Sequence, residues 1–324
     1  MKNILIIRLS SMGDIIHTFP MVFDIKDNYP DSKIDWLVDE NFKDLIKLNK
    51  LVSNIIPIPL RKWKKNKLKF LFSLYKWNKE LNKVKYDYII DCQGLLKSSI
   101  LSKFFIGKVY GFNINSVREK LATLFYNYKY SIEKTNLATI KNRLLAKEIF
   151  DYKIDVNKIN FGLNSISFSR LNYLVDKNYI VFFHATSKES KKYALNNWIE
   201  IANYLIKNYG YHIIVTYGNK TEKKESILIK ENANYPENII VPDDIYNYLE
   251  LASLISNATF IFGVDTGLIH LSNALDKKLI AIYTDTNPNR TGIIESVNAI
   301  NLGNKNEIPT IKNVLSNFEK IIGN

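Results

Sequence analysis

The chain has 324 residues and carries 45 Lys and Arg against 32 Asp and Glu, a net charge of +13. Its 46% hydrophobic and 24% charged content excludes wholesale disorder, and the length predicts about two domains. The single cysteine, Cys92, excludes a disulfide framework and a cysteine-based zinc cluster. The positive charge indicates an anionic partner, which the composition leaves open as nucleic acid, an acidic lipid surface or a phosphorylated small molecule.

Strand-like and helix-like patterns alternate along the chain. The short apolar runs predict strands at residues 4–8, 33–38, 55–58, 86–91, 109–112, 179–184, 212–217, 239–241, 259–262 and 279–283. Helical spacing predicts helices at residues 14–28, 68–84, 93–105, 116–126, 136–150, 196–208, 221–233, 246–256, 268–275 and 311–322. A polar, irregular stretch at 151–176 separates the two alternations.

Two alternations of this kind predict an α/β protein with two Rossmann-like, doubly wound parallel sheets that face each other across a cleft. We place an N-terminal domain at residues 1–165 and a C-terminal domain at residues 166–324. The last predicted helix, at 311–322, is a candidate to pack back across both domains.

Small and polar residues follow the first predicted strand. Ser10, Ser11, Gly13 and Asp14 lie before an apolar helix. The glycine lets the backbone approach a ligand, and the helix start presents free N–H groups to an anion. Neither G-x-G-x-x-G nor G-K-[ST] is present, which argues against a dinucleotide oxidoreductase and a P-loop ATPase. Asp14 stays open to two interpretations, a functional carboxylate or an ordinary acid at a helix start.

Two strand ends of the C-terminal half carry residues suited to a nucleotide. Thr186 and Ser187 precede a loop that contains Lys191, and hydroxyls followed by a cation suit a diphosphate. Glu222 follows the next strand, where it either accepts hydrogen bonds from ribose hydroxyls or only begins a helix.

A third strand end carries Asp265, Thr266, Gly267 and, one helical turn further, His270. Thr266 and the backbone N–H groups at this helix start are suited to phosphate oxygens. The alternative is that Asp265 caps the helix and that His270 is an ordinary core residue.

Several other classes of protein and site lack support. Arg8 interrupts the first apolar run, so no export signal is predicted. No apolar stretch approaches the ~18 residues of a membrane span, and we expect a cytoplasmic protein. The four histidines are scattered and none pairs with Cys92 at a metal-ligand spacing, so no metal is predicted. The G-x-S-x-G elbow of α/β-hydrolases is absent.

Four segments together resemble a known family. They are RLSSMGDIIHTFP at 8–20, DCQGLLKS at 91–98, REKLATLFYN at 118–127 and VDTGLIHL at 264–271. The chain resembles the lipopolysaccharide heptosyltransferases of glycosyltransferase family nine over nearly its full length, and the first segment is similar to the type I enzymes.

This resemblance implies a GT-B fold, with the acceptor bound by the N-terminal domain and the donor by the C-terminal one. It implies transfer of L-glycero-D-manno-heptose from ADP-heptose to Kdo of Kdo-lipid A in lipopolysaccharide inner-core biosynthesis, with inversion at the anomeric carbon. Asp14 matches the family's catalytic position and is the expected general base. ADP-heptose is then a substrate, and no cofactor or metal is expected.

The resemblance and the strand ends together suggest two sets of binding residues. The expected donor-binding residues are Gly13, Thr186, Ser187, Lys191, Glu222, Asp265, Thr266, Gly267 and His270. The expected acceptor-binding residues are Ser10, Ser11, Arg61, Lys62, Lys64, Gln93, Lys97 and Arg118. Arg61 and Arg118 are the candidates for bidentate contacts with acceptor carboxylates or phosphates.

The excess charge is concentrated in the acceptor domain, where residues 61–85 hold ten basic side chains and one acid. We expect this charge to face Kdo-lipid A at an anionic inner-membrane surface, with the protein peripheral on the cytoplasmic side. A solvated helix face is the alternative for the later lysines of the segment. No nucleic-acid motif is present, so a nucleic-acid partner is not expected.

Two segments depart from the family's pattern. Lys191 is followed by Lys192, Tyr193 and Ala194, where many relatives have an aromatic residue and a proline after the lysine. Residues 284–288 read Thr-Asp-Thr-Asn-Pro in place of Gly-Pro-Thr-Asp-Pro. These departures leave open which lysine reaches the diphosphate and which donor is used, so a family-nine transferase adding a later heptose or another sugar is the nearest alternative. The charge, with Trp63 and Tyr75 among the lysines, leaves a nucleic-acid-binding protein as a distant alternative, and a non-catalytic scaffold of the same fold is a third.

Overall fold

The computed structural model describes residues 1–60, 84–163 and 168–323. The chain divides into two compact units, Met1–Ser165 and Ile166–Asn324. Each unit contains one six-stranded sheet in which every strand pair is parallel. The α/β prediction with two parallel sheets is confirmed.

The N-terminal sheet has the strand order β3-β2-β1-β4-β5-β6. Its strands are β1 (Asn3–Ile7), β2 (Lys33–Asp39), β3 (Asn54–Ile58), β4 (Tyr88–Asp91), β5 (Val109–Phe112) and β6 (Tyr128–Tyr130). The order reverses between β1 and β4, where Ile7 lies opposite Asp91. Loops that leave neighbouring strands in opposite directions open a crevice at such a point, so the residues after Ile7 and Asp91 are placed to bind a ligand.

The helices of this unit are shorter than the sequence predicts. Among residues 1–60 and 84–163 they are α1 (Met12–Ile16), α2 (Phe19–Asn28), α3 (Lys43–Ile46), α4 (Leu96–Ser102) and α5 (Ala138–Phe150), with 3₁₀ turns at Glu40–Phe42 and Lys120–Phe125. The single helix predicted at 14–28 is wrong, because the chain restarts at α2 with Pro20 in its first turn, where a missing N–H costs nothing. The helix predicted at 116–126 is also wrong, since only the 3₁₀ turn forms there. The helix predicted at 68–84 lies outside the described residues but for its last position.

The C-terminal sheet repeats this plan with the order β12-β11-β10-β7-β8-β9. Its strands are β7 (Tyr179–Phe183), β8 (His212–Val215), β9 (Ile239–Ile240), β10 (Phe260–Val264), β11 (Leu279–Ile282) and β12 (Ala299–Leu302). The order reverses between β7 and β10, whose ends pair Phe183 with Gly263. The loops carrying Thr186 and Asp265 therefore leave the sheet side by side.

Six helices surround this second sheet. They are α6 (Leu195–Tyr209), α7 (Lys220–Glu231), α8 (Tyr248–Asn257), α9 (Gly267–Ala274), α10 (Pro288–Thr291) and α11 (Ile311–Gly323). The buried side of α11, formed by Val314, Phe318 and Ile321, lies in the core of the C-terminal unit. Phe318 meets the rings of Phe260 and Phe262 at centroid distances of 4.9 and 5.6 Å. Packing of this helix across both domains stays a prediction.

Within residues 1–60, 84–163 and 168–323, no helix combines the length and the apolar character that crossing a bilayer requires.

Candidate functional site

Asp14 lies between two arginines in the loop and short helix that follow β1. Its Oδ1 is 3.2 Å from Arg8 Nη2, and its Oδ2 is 3.4 Å from Arg118 Nη1. The amide of Ser11 donates to Oδ2 at 3.3 Å. Arg8 is buried, whereas 57% of the Arg118 side chain and 24% of the Asp14 side chain are exposed. The carboxylate is therefore open to a ligand on the side of Arg118.

The charge state of Asp14 results from opposed effects. Burial is the largest single influence and acts to raise the pKa of the carboxyl group. Arg8 and Arg118, with smaller contributions from His17 and the Ser11 amide, outweigh burial, so the pKa of Asp14 lies below its ordinary value. Asp14 is therefore an ionised carboxylate at neutral pH.

Backbone contacts fix the guanidinium of Arg8. Its Nε donates to the backbone oxygen of Asp14 at 3.2 Å, and its Nη1 donates to the backbone oxygen of Cys92. The indole of Trp36 donates to the Arg8 backbone oxygen at 3.0 Å. One arginine thus joins the ends of β1 and β4 to the first turn of α1. Asp14 is also the third residue of α1, and its side chain completes a capping box with Ser11, so the helix-start interpretation is supported and a functional role for Asp14 stays a prediction.

A buried carboxylate, Asp91, organises the loop after β4. Its Oδ1 accepts the amides of Gln93 and Gly94 at 2.9 and 3.1 Å, and its Oδ2 accepts the hydroxyls of Ser98 and Tyr126 at 2.9 and 2.7 Å. Burial raises the pKa of Asp91 despite these four bonds. The predicted residue set includes neither Asp91 nor Tyr126, although both lie in segments that carry the family resemblance.

Gln93 is buried and supports the loop that leads to Asp14. Its Oε1 accepts the amide of Leu9 at 2.9 Å and that of Ser10 at 3.3 Å, and 2% of the residue is exposed. The side chain therefore holds Ser10 and Ser11 in place, and its predicted direct contact with an acceptor is not supported by this geometry.

The other predicted acceptor residues differ in where they lie. Ser10 is half-buried and Ser11 is exposed at the start of α1, while Lys97 is exposed on α4. Arg61, Lys62 and Lys64 lie outside the described residues. The structure therefore brings Arg118 and the two serines to Asp14.

Asp265, at the end of β10, is the centre of the C-terminal site. Its Oδ2 accepts hydrogen bonds from Lys191 Nζ and Thr286 Oγ1, each at 2.6 Å, and 8% of the residue is exposed. The hydroxyl of Thr186 donates to the backbone oxygen of Asp265 at 3.0 Å. Three loops, after β7, β10 and β11, therefore converge on one residue.

The interpretation of Asp265 as a helix cap is wrong. Thr266 occupies the N-cap position of α9, with extended φ and ψ of −143° and 161°, and Gly267 is the first helical residue. The Asp265 side chain instead binds a cation and a hydroxyl. His270 is buried one turn into the helix, and Ser187 is exposed in the loop after β7.

The two adjacent lysines have different partners. Lys191 pairs with Asp265, whereas Lys192 Nζ lies 2.6 Å from Glu225 Oε1 and 2.9 Å from Glu189 Oε2. The hydrogen bonds to Glu225 and Glu189 raise the pKa of Lys192. Lys191 is therefore the lysine that lies beside the start of α9.

Glu222 is bound within its own turn at the start of α7. Its Oε2 accepts the amide of Gly218 at 2.7 Å, and its Oε1 accepts from Asn219 Nδ2 at 2.6 Å. Asn219 caps the helix by accepting the amides of Thr221 and Glu222. The helix-start interpretation of Glu222 is supported, and its contact with a ribose stays a prediction, since a carboxylate has further lone pairs to offer.

Over residues 1–60, 84–163 and 168–323, no three His, Cys, Asp or Glu side chains group closely enough to hold an ion. Whether the reaction needs a metal stays a prediction.

Comparison with known proteins places the chain in a family. The model for Glycosyltransferase family 9 (heptosyltransferase) matches residues 74–321. The chain belongs to this family. Lipopolysaccharide heptosyltransferase 1 of Salmonella typhimurium is 31% identical over 293 residues, with 90% of each chain covered. The Escherichia coli K12 protein of the same name is 30% identical over 293 residues, again with 90% of each chain covered.

Solved structures agree with this assignment. Escherichia coli heptosyltransferase WaaC with ADP has a TM-score of 0.87 and 28% identity, covering 98% of this chain and 99% of that one. Escherichia coli ADP-heptose lps heptosyltransferase II has a TM-score of 0.80 at 19% identity, which shows the fold alone. The predicted GT-B fold, the glycosyltransferase activity and the resemblance to type I heptosyltransferases are confirmed.

In this glycosyltransferase, the loop that departs from the family's pattern makes a contact that the sequence does not predict. The hydroxyl of Ser190 donates to Asp285 Oδ2 at 2.5 Å, and the hydroxyl of Thr284 donates to the Ser190 backbone oxygen at 2.9 Å. These two bonds, which we call the 190–285 clasp, join the loop after β11 to the 3₁₀ turn that carries Lys191. No residue-spacing signal indicates them, because the partners lie about 95 positions apart.

Proposed function

We propose that this chain transfers L-glycero-D-manno-heptose from ADP-heptose to Kdo of Kdo-lipid A, with inversion at the anomeric carbon. The observation that carries the proposal is its similarity to proteins named lipopolysaccharide heptosyltransferase 1, at about 30% identity over 90% of the chain. The geometry at Asp14 and Asp265 is compatible with such a reaction and suggests a role for each residue.

Asp14 is the proposed general base. In an inverting transfer, the acceptor hydroxyl attacks the anomeric carbon opposite the leaving ADP, and its proton passes to a base. The ionised Asp14 can accept that proton, but its lowered pKa makes it a weak base. Positioning of the hydroxyl against the anomeric carbon therefore supplies much of the rate enhancement.

Arg118 and the loop before α1 are the proposed acceptor contacts. The exposed guanidinium of Arg118 can keep its ion pair with Asp14 and also bind an acceptor carboxylate. Its planar array of N–H donors suits a carboxylate. Ser10, Ser11 and Lys97 add hydroxyl and ammonium donors, and we assign Arg61, Lys62 and Lys64 to acceptor phosphates and carboxylates. Gln93 is proposed to position the loop.

The donor diphosphate is proposed to lie at the start of α9. The ammonium of Lys191 and the backbone N–H groups after Thr266 and Gly267 offer positive charge and donors there. The Thr186 hydroxyl proton is already donated to Asp265, so Thr186 positions this loop unless that bond breaks on binding. We propose that Ser187 and His270 border the same site, and that Gly13 is a further donor contact because a glycine lets a ligand approach the backbone closely.

Glu222 is the proposed ribose contact, because its carboxylate lies after β8, where acids of nucleotide-binding sheets meet ribose hydroxyls. With Lys191 and a helix start available to neutralise the departing ADP, we propose that no metal takes part. The enzyme is proposed to act at the cytoplasmic face of the inner membrane, without a nucleic-acid partner.

A donor and acceptor panel tests the proposed substrates. Purified protein is incubated with ADP-heptose or another nucleotide sugar, and with Kdo-lipid A or an acceptor that already carries heptose, and the products are identified by mass spectrometry. A mass increase of one heptose on Kdo-lipid A, with ADP-heptose as the only active donor, is expected. Transfer only to the heptose-bearing acceptor would instead favour a later step of the pathway, and no product with Kdo-lipid A would contradict the proposal.

A further inference from the structure

The 3₁₀ turn Lys120–Phe125 presents two leucines to solvent. Leu121 is 60% and Leu124 is 75% exposed. Side chains three positions apart eclipse one another in a 3₁₀ turn, so the two leucines lie on one side. Ile100 of α4, which packs against this turn, is 42% exposed. We call Ile100, Leu121 and Leu124 the leucine surface.

The turn that carries the leucines is well anchored. Ala122 and Thr123 are buried, and the amide of Ala122 donates to the Glu119 backbone oxygen at 3.0 Å. Tyr126, directly after the turn, donates to buried Asp91 at 2.7 Å. Buried contacts hold this turn in place while its two leucines face solvent. Exposed leucines on a turn anchored in this way indicate a surface with a binding partner.

The chain segment that carries the leucine surface is rich in positive charge. Residues 92–132 contain six basic side chains and one acid, Glu119. Lys97, Lys103 and Lys120 are exposed, while the Glu119 carboxylate is occupied by the amide of Leu96 at 2.6 Å. Exposed apolar side chains on a lysine-rich segment match the two layers of an anionic membrane surface, with acyl chains below and phosphates above. Lysine is depleted in protein–protein interfaces, which makes a protein partner the weaker candidate.

We propose that the leucine surface and its lysines dock this enzyme on the anionic lipid bilayer that holds its acceptor. Leu121 and Leu124 insert among the acyl chains, and Lys103 and Lys120 bind headgroup phosphates. Arg118, two residues before the turn, contacts Asp14, so docking brings the membrane surface to the catalytic carboxylate. The inference rests on the proposed function, because it takes the acceptor to be a membrane lipid.

Co-sedimentation of the full chain with phosphatidylethanolamine vesicles that contain phosphatidylglycerol tests the docking without any transfer reaction. The variant L121S/L124S is expected to bind about tenfold more weakly or worse, since each leucine loses apolar burial. The matched control V297S/I308S changes side chains that are 77% and 61% exposed elsewhere, and it should bind like the wild type. K103Q and K120Q should each weaken binding about fivefold and reduce its salt dependence.

Kinetics supply the second readout. L121S/L124S should raise the KM for vesicle-borne acceptor by a similar factor and leave kcat on a deacylated, water-soluble acceptor unchanged. The docking proposal is overturned if L121S/L124S binds vesicles as tightly as the wild type does, or if the wild type does not bind vesicles. If the wild type is a dimer, L121S/L124S is a monomer and vesicle binding is unchanged, the leucines instead contact a second copy of the chain. Failure of heptose transfer alone would contradict the proposed function and leave the vesicle result standing.

Discussion

At Asp14, burial and two guanidinium groups act on the same carboxylate in opposite directions. Burial alone would favour the protonated acid, whereas Arg8 and Arg118 favour the charged form. Arg8 is fixed by backbone bonds, and Arg118 is more than half exposed. Asp14 thus has two counter-ions with different roles. Arg8 is fixed and orients the carboxylate, whereas the long, exposed side chain of Arg118 can also reach a substrate.

His184, after β7, shows the opposite balance. It is 2% exposed, and its Nε2 lies 3.7 Å from Glu225 Oε2. Burial lowers the pKa of its imidazole from 6.5 to about 4, against the attraction of Glu225. Between these two values the unfolded chain binds more protons than the folded one, so stability falls as the pH falls through this window.

Thermal and denaturant unfolding of the His184→Gln variant test this linkage. We expect the wild type to lose roughly 2 kcal/mol of unfolding free energy between about pH 7.5 and about pH 5 from this group, and the variant to lose that much less. The slope against pH is the readout, independent of the variant's baseline stability. Equal slopes in the two proteins would mean that folding does not change the proton affinity of His184.

At the scale of elements, each site is built where neighbouring parallel strands end. The loops after β1 and β4 meet through Arg8, and those after β7, β10 and β11 meet at Asp265. The family's pattern is broken at Thr284 and Asp285, and both residues contact Ser190. The 190–285 clasp therefore joins the loop after β11 to the turn that carries Lys191.

Substitution of Asp285 tests what the clasp contributes. Asp285→Ala should raise the KM for ADP-heptose about fivefold, the effect of losing one hydrogen bond that positions Lys191, with a smaller change in the acceptor KM. Asp285→Asn keeps an oxygen that accepts from Ser190 and should restore most of the donor affinity. Equal donor KM values for the alanine and asparagine variants would show that charge, rather than the hydrogen bond, matters there.

Long apolar runs made most of the fold predictable from the sequence. β10 is buried throughout and β1 is buried after its first residue, Asn3, so the buried residues of both strands had to be apolar on both faces. The edge strands β6 and β12 were not predicted, because they are three and four residues long and mostly half-buried or exposed. The break before α2 followed from Pro20, a local signal that the helical periodicity concealed.

The sites were predictable to a lesser extent. Strand ends indicated Asp14, Lys191 and Asp265, because ligand-binding residues gather where parallel strands end. The partners of these residues come from far along the chain, as with Arg118 and Asp14, which are 104 positions apart. A single sequence does not predict such a pairing unless a family's motif indicates it.

At the scale of the whole molecule, charge is distributed unevenly. Residues 61–85 hold ten basic side chains and one acid, and residues 92–132 add six basic side chains and one acid, so the excess lies in the N-terminal half. This asymmetry suits a protein that binds an anionic lipid through one domain and a soluble nucleotide sugar through the other.

Neutralising the basic residues at the start of the 61–85 segment tests whether this charge serves acceptor binding rather than donor binding. The triple variant R61Q/K62Q/K64Q should raise the acceptor KM about tenfold or more, with the donor KM within about twofold of the wild type. Both constants come from initial rates with one substrate saturating. A similar rise in both would mean that these side chains form a solvated surface.

Asp14 is the proposed base that removes the acceptor proton during heptose transfer from ADP-heptose to Kdo-lipid A. Its most direct test compares the wild type with Asp14→Asn, measuring single-turnover transfer and, by calorimetry, the Kd for ADP-heptose. We expect a transfer rate lower by about 10²–10⁴-fold in the variant, with the donor Kd within about twofold of the wild type. Transfer by Asp14→Asn at the wild-type rate would show that Asp14 is not the general base.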